Sequence, residues 1–585
     1  MARFNLLAVV LSTACAAASA LVPREPVPDN NPVVAAAAAA APTVHLKNGS
    51  YHGVYSPSYD QDFFLGIPYA RPPVDDLRFR PPQPLNSSWE GSRNATQYSP
   101  LCFGYGSDTW VLGNPVSEDC LTINVVRPHG VAPDARLPVA LWIHGGGLTN
   151  GGSADPRYNL SFIVEQGVRM RTPFVVASIN YRLHAWGFLW SDELKADGAG
   201  NLGFRDQRLA LHWVRENIAA FGGDPARVTL WGESAGARSV TAQMFAYGGR
   251  DDGLYRAAIL QSGTGLTTDF GEVEPPAAPA VVTTTWQNYY DAIVGEVNCT
   301  SAASTLACLR RVPAWDLSNA INSTTAVATP DFANVVDGDF LIAPRHELVN
   351  EGRFTHVPLL IGSNTDEGTQ FGVKGVNTTE QWRAYLRSGG AGNVTTEVLS
   401  ALYPDIPRLG NPATLDGRPT GVYAPYGAMW KRVNAFAGDR AQHAPRRLFA
   451  RRWAAANQTV YAYNFNVLVN GLSPAEGVNH FQEVAFVFDN TAGLGYETAV
   501  ASDPFEGKPE SYKRLAGVMS SMWAAFITEG DPNRNGGASG VTWPAYDVEN
   551  PEIISFDANV TSLARVLPDT YRTEQMEYLI EKLWS

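Results

Sequence analysis

The sequence predicts an α/β fold, a large, mostly parallel central sheet flanked by helices, and three observations point to it. First, several short runs are apolar at every position instead of alternating: Val139-Ala-Leu-Trp-Ile143, Phe174-Val-Val-Ala-Ser-Ile179, Val228-Thr-Leu-Trp231 and Val357-Pro-Leu-Leu-Ile361. Strands buried on both faces, as in a parallel sheet covered by helices, have this pattern. Second, helical patterns lie between the runs. In residues 205–221, Leu211, Val214, Ile218 and Phe221 share one face, and Gly222-Gly223 stops the helix. Third, the run ending at Trp231 passes through a glycine-rich turn into a helical pattern over residues 237–247, the strand–turn–helix junction of such folds.

Composition agrees. Of the 585 residues, 45% are hydrophobic and only 17% charged, with 53 Gly and 40 Pro, which excludes coiled coils and solvated disordered chains. The net charge of −13 would repel phosphate backbones, so no nucleic-acid partner is expected. No repeat or linker interrupts the chain after residue 42, and residues 43–585 are expected to form one large domain.

Residues 1–20 read as a secretory signal peptide: Arg3, an apolar stretch from Leu6, then Ala18-Ser19-Ala20 as a cleavage site. Residues 21–42, rich in Pro and carrying seven consecutive alanines, read as a flexible leader. No run reaches the roughly 20 apolar residues that span a bilayer, so no membrane anchor is expected. Cys15 leaves with the signal, and the four remaining cysteines, Cys102, Cys120, Cys299 and Cys308, suit two disulfides of an oxidising compartment. Four cysteines allow three pairings; the sequential one closes two short loops, each removing roughly 3 kcal/mol of unfolded-state entropy. Sequons stand at Asn48, Asn86, Asn94, Asn159, Asn298, Asn322, Asn377, Asn393, Asn457 and Asn559, so several glycosylated surface loops are expected.

The turn after Trp231 is Gly232-Glu233-Ser234-Ala235-Gly236, a G-x-S-x-G motif set between a strand and a helix, where a strained turn exposes a nucleophilic serine. A serine needs a base, and the base an orienting acid, here in the chain order serine, acid, histidine. Four histidines follow Ser234. His346 reads as the exposed start of a helix, His356 precedes a strand at the wrong sheet edge, and His443 lies in a basic stretch that reads as a solvated face. His480 lies in a loop before an apolar run and is favoured. For the acid, the turn after the strand at 357–361, Asn364-Thr-Asp366-Glu367-Gly368, offers Asp366 or Glu367, and the residues alone do not choose between them. Oxyanion donors are expected from the loop His144-Gly145-Gly146-Gly147 after an earlier strand, at about 3 kcal/mol each; His144 reads as a brace for that loop.

These residues, with Phe64-Leu-Gly-Ile-Pro-Tyr-Ala70, Leu77-Arg-Phe79, Glu118-Asp-Cys-Leu121, Asn180-Tyr-Arg182, Phe221-Gly-Gly-Asp-Pro225, Gln261-Ser-Gly263 and Gly530-Asp-Pro-Asn533, resemble the type-B carboxylesterase family, which includes cholinesterases and fungal esterases and lipases. The stretch 197–207 looks like the fungal secreted branch. The resemblance implies the α/β-hydrolase fold and a serine carboxylic-ester hydrolase that needs no metal or cofactor. It implies Glu367 as the acid and His480 as the base. It carries the oxyanion amides to Gly146, Gly147 and Ala235, places Glu233 and Ser262 as polar neighbours of the triad, and pairs Cys102 with Cys120 and Cys299 with Cys308. Trp110, ten residues before Cys120, matches the choline-binding tryptophan of cholinesterases in position; it would either face a quaternary ammonium or pack the mouth of the pocket, and the second is the expectation.

Only 17 residues, broken by Gly104, Gly106, Gly113 and Pro115, separate Cys102 from Cys120, where fungal lipases of the family carry a long amphipathic lid. An esterase with weak interfacial activation is therefore expected. Two readings compete with it. One is acyl transfer to a small alcohol, for example on a specific secondary metabolite. The other is a non-catalytic cholinesterase-like binding protein, which the intact Ser234, Glu367 and His480 oppose.

Overall fold

The apolar runs form the centre of an eleven-stranded sheet. A computed structural model describes residues 41–110, 113–272, 286–323, 332, 335–497, 501–537, 540–558 and 562–585, without the side chain of Trp110. The expected signal peptide, the leader up to residue 40 and the Asn559 sequon lie outside the described residues.

In chain order the strands are β1 (Val54–Ser56), β2 (Gln61–Pro68), β3 (Thr122–Pro128), β4 (Leu137–Ile143), β5 (Val175–Ile179) and β6 (Gly223–Glu233). They continue with β7 (Ala257–Gln261), β8 (Leu359–Asn364), β9 (Val460–Phe465), β10 (Glu552–Phe556) and β11 (Ala564–Pro568). Their spatial order is β11-β10-β9-β8-β7-β6-β4-β5-β3-β2-β1. Strands β4 to β10 are parallel to one another, and the antiparallel pairs lie toward the two edges. The mostly parallel sheet is therefore present.

Its central strands are uniformly apolar because both faces are covered. Along β4, Val139, Leu141 and Ile143 enter one core while Ala140 and Trp142 enter the other. The first core takes helices α2 (Leu202–Asn217) and α3 (Ala235–Phe245); the second takes α1 (Leu160–Arg169) and, later in the chain, α6 (Ser511–Glu529). Of two further helices, α4 (Trp430–Gly438) and α5 (Ala444–Ala455), α5 packs on β8 and β9, and the terminal α7 (Thr573–Trp584) packs on α5. The helix expected over 205–221 is α2 with a final 3-10 turn at Ile218–Phe221, closed by Gly222 in the left-handed region (φ 80°). Among the described residues, no helix is long and apolar enough to cross a membrane.

One expectation fails. His443 does not sit on a solvated face: it is buried, and its Nδ1 lies 2.9 Å from the Ser363 hydroxyl. The basic stretch around it turns inward because Arg446 and Arg447 both pair with buried Asp569, more than 120 residues downstream.

Trp142 is fully buried and meets Trp231 at 4.8 Å and Phe488 at 5.0 Å between ring centroids. Trp142→Ala should therefore lower the unfolding free energy by about 3–5 kcal/mol, read from the denaturation midpoint.

Candidate active site

The sheet register gathers the site. Gly232 of β6 pairs with Ile143 of β4, and Glu233, Gln261, Gly362 and Tyr463 form one row across β6, β7, β8 and β9. The chain leaves the sheet just beyond this row. Ser234, Ser262, Glu367 and the glycine loop after Ile143 all project from the carboxyl edge, where open α/β sheets bind ligands.

Ser234 is half-buried and its backbone is strained, at φ 55° and ψ −120° between β6 and α3. The flanking glycines are required by close approach. A Cβ on Gly232 would lie 2.4 Å from the Gly236 carbonyl carbon, and one on Gly236 would lie 2.0 Å from the Ile143 oxygen. The turn is held by the Ser234 amide, which donates to the Gln261 oxygen at 2.8 Å.

Glu367 and His480 meet across 113 residues of chain. The His480 Nδ1–H donates to Glu367 Oε2 at 2.6 Å. Glu367 Oε1 accepts from the Ser262 hydroxyl at 2.5 Å and from the Asn364 amide at 2.8 Å. Burial alone would push the Glu367 carboxyl up, but the His480 charge and these hydrogen bonds hold it below its ordinary value. Asp366, the alternative the residues left open, points elsewhere. Its carboxylate accepts from Asn411 Nδ2 at 2.9 Å and from the Val478 amide at 2.8 Å, and burial pushes it up to about 6. It anchors the loop that carries His480.

The other imidazole nitrogen, Nε2, lies 3.2 Å from Glu233 Oε1 and makes no hydrogen bond among the described residues. Complete burial pushes the Glu233 carboxyl well above its ordinary value. Burial pushes His480 down, but the Glu367 carboxylate outweighs it and holds the imidazole above its ordinary 6.5. Nδ1 is taken by Glu367, and Nε2 lies beside Glu233, the residue that precedes Ser234.

A third buried acid, Glu483, was not singled out from the sequence. It accepts from Gln261 Nε2 at 3.0 Å and from Asn364 Nδ2 at 2.8 Å. Its signal is a glutamate heading the apolar run 484–488, where a charge has no place unless partners are built for it.

The glycine loop after β4 abuts the serine: a Cβ on Gly145 would lie 3.2 Å from Ser234 Cβ. The amides of Gly146, Gly147 and Ala235 donate to no acceptor among the described residues. His144 braces the loop. Its Nδ1–H donates to the Gly145 oxygen at 2.9 Å, its ring stacks on Tyr181 at 4.6 Å, and burial pushes it down to about 4, so it stays neutral.

The disulfides are Cys102–Cys120 and Cys299–Cys308. Arg78 ties the two loops together. It grips Glu118 with two bonds of 2.6 and 2.7 Å and donates to the Leu309 and Val312 oxygens. Within the first loop the only described helix is the single turn Ser107–Trp110. The side chain of Trp110 is outside the described residues, so its facing is left open. Of the sequons, Asn86, Asn94, Asn298, Asn322, Asn377, Asn393 and Asn457 are exposed, while Asn48 and Asn159 are half-buried. The Asn48 amide nitrogen already donates to the Leu85 and Ser87 oxygens. Of the remaining histidines after Ser234, His346 is half-buried in a helix Arg345–Asn350 and His356 is exposed ahead of β8.

The carboxylesterase family model covers residues 40–579. Lipase 4 of Diutina rugosa is 35% identical, the match covering 86% of this chain and 90% of that protein. The secreted lipase 1 of Botryotinia fuckeliana is 31% identical over 93% and 94%. The crystal structure of Aspergillus niger EstA superposes with a TM-score of 0.76 at 25% identity, covering 93% of this chain and 99% of that one. The chain belongs to the carboxylesterase family and is a carboxylic-ester hydrolase of α/β-hydrolase fold.

Proposed function

We propose that the chain is a secreted serine esterase that works through an acyl-enzyme on Ser234, favouring dissolved esters over lipid interfaces. The observation that supports the triad is the 2.6 Å bond from His480 to Glu367, with Nε2 free of hydrogen bonds among the described residues and 3.2 Å from Glu233, the residue before the strained Ser234. Ser234 Oγ attacks the ester carbonyl while His480 Nε2 takes its proton, and the Glu367 carboxylate stabilises the imidazolium. The amides of Gly146, Gly147 and Ala235 receive the oxyanion. His480 returns the proton to the leaving alcohol, and water then cleaves the acyl-enzyme by the same route. Glu233 and Ser262 act through His480 and Glu367.

The stapled, glycine-broken Cys102–Cys120 loop supports the esterase preference, since it lacks the length for an amphipathic lid. The names of relatives favour the other reading: one from Gibberella zeae, 32% identical, is called a secreted triacylglycerol lipase. Secretion is supported by residues 1–20, the two disulfides and the secreted relatives. Glycans would take the exposed sequons first. Residues 43–585 would then act as one domain behind a leader.

Three outcomes follow. Ser234→Ala should abolish labelling by an organophosphonate serine probe and lower kcat on a short-chain ester panel by about 10⁶-fold, and Glu367→Gln should lower kcat by about 10⁴-fold. Retained labelling in Ser234→Ala sinks the nucleophile. Since His480 acts only when neutral and Glu367 raises its pKa, kcat/KM should fall as pH drops, with a midpoint above 6.5. Glu367→Gln removes the negative charge and should move that midpoint down. On a long-chain triglyceride, the rate should rise smoothly through the solubility limit; a steep jump there assigns the enzyme to the lipases.

A further inference from the structure

A cavity of about 530 Å³ lies between the ends of β8–β11, helices α4 and α5 and the start of α7, and neither Ser234, Glu367 nor His480 lines it. That volume is ordinary for a small-molecule site. Its charge is not ordinary for a protein of net −13: six arginines line it, Arg408, Arg432, Arg446, Arg447, Arg565 and Arg572.

Their partners do not balance them. Arg446 and Arg447 share one carboxylate, Asp569, at 2.6 and 3.0 Å. Arg572 pairs with Asp439 at 2.9 Å. Arg432 is buried over the Trp382 ring and donates to the Tyr403 and Ser400 oxygens, with no carboxylate in its grip; Asp405 nearby is held by Arg418 at 2.8 Å. Arg408 and Arg565 are exposed and have no ion pair among the described residues. Six guanidiniums face two directly paired carboxylates, Asp569 and Asp439, with Asp366 and Asp405 farther off, so positive charge is in excess at the cavity.

Arg447 is fully buried, and its Nε and Nη1 have no partner among the described residues; the Nε groups of Arg446 and Arg572 are likewise unpartnered. Buried donors of this kind are costly, and a guanidinium fork matches an oxyanion better than any neutral group. Leu402, Leu409, Ile553, Leu567 and Met576 give the lining an apolar part, beside neutral polar groups such as Asn411, Asn464 and Ser555.

We propose that this cavity binds a small amphiphilic anion, its carboxylate or phosphate head on Arg447 and its neighbours and its short chain against the leucines. The site is separate from the ester chemistry and stands whether or not Ser234 is the nucleophile.

Titration calorimetry on the full-length glycosylated protein tests it with octanoate, octyl phosphate, inorganic phosphate and octanol. The wild type should bind one or both octyl anions, and which one identifies the head group. Arg447→Lys, which keeps a positive charge beside Asp569 but withdraws the free donors, should weaken that binding at least tenfold. The double variant Arg408→Glu/Arg565→Glu, at exposed positions that leave folding intact, should do the same, and octanol binding should not respond to either. Anion binding unchanged in the double variant, or no binding to the wild type, overturns the proposal. Inorganic phosphate binding as tightly as octyl phosphate overturns its apolar half.

Discussion

Everything at the site depends on one loop being pinned to the ends of two strands. Residues 476–483 carry His480, and β7 and β8 hold them from beneath. Thr369 donates to the Glu476 oxygen, Asp366 clasps Val478 through both its amide and its carboxylate, and Asn364 reaches the Asn479 oxygen. Glu483 is then seated on Gln261 and Asn364. Ordering such a loop costs about 1–2 kcal/mol per residue, and each net hydrogen bond returns about 1 kcal/mol. Hydrogen bonds alone would not hold it. The balance comes from the apolar run that follows, Val484, Phe486 and Phe488, all fully buried in the core that holds Trp142. The imidazole is placed by a hydrophobic anchor, and the polar contacts set its angle.

The same anchor explains how three glutamates can lie buried around one histidine. Glu367, Glu233 and Glu483 are all sealed from water, and burial presses each toward its neutral form. Only Glu367 accepts from the imidazole and from two further donors, and it alone is held below its ordinary value. Glu233, with no hydrogen-bond donor at Oε1 among the described residues, is pushed well above its ordinary value. The hydrogen bond from Nδ1 to Glu367 is what orients the His480 ring.

The sheet was legible because parallel strands covered on both faces carry an unmistakable composition, and β4, β5, β6 and β8 fall on the four apolar runs. The serine turn was legible because its two glycines are forced by contacts inside the motif. The acid was not. Asp366 and Glu367 are adjacent carboxylates on one turn, and which faces His480 depends on Val478 and Asn411, remote in sequence. The family resemblance named Glu367, and the geometry sets Glu367 against the imidazole. His443 was misread for a related reason: the arginines beside it look solvated until Asp569, far along the chain, is placed among them. The polar groups whose partners are distant are the ones local reading misses.

The distance between Ser234 and His480 also has a meaning in time. A ribosome delivers the serine turn, the glycine loop and Glu233 long before it delivers the imidazole or the run that anchors it. Until residue 488 has emerged, no imidazole is set against Glu367. Arg78 likewise waits for Leu309 and Val312 before the two cystine loops can be joined. The site is therefore incomplete through most of the chain's synthesis, and its assembly is a late event of folding.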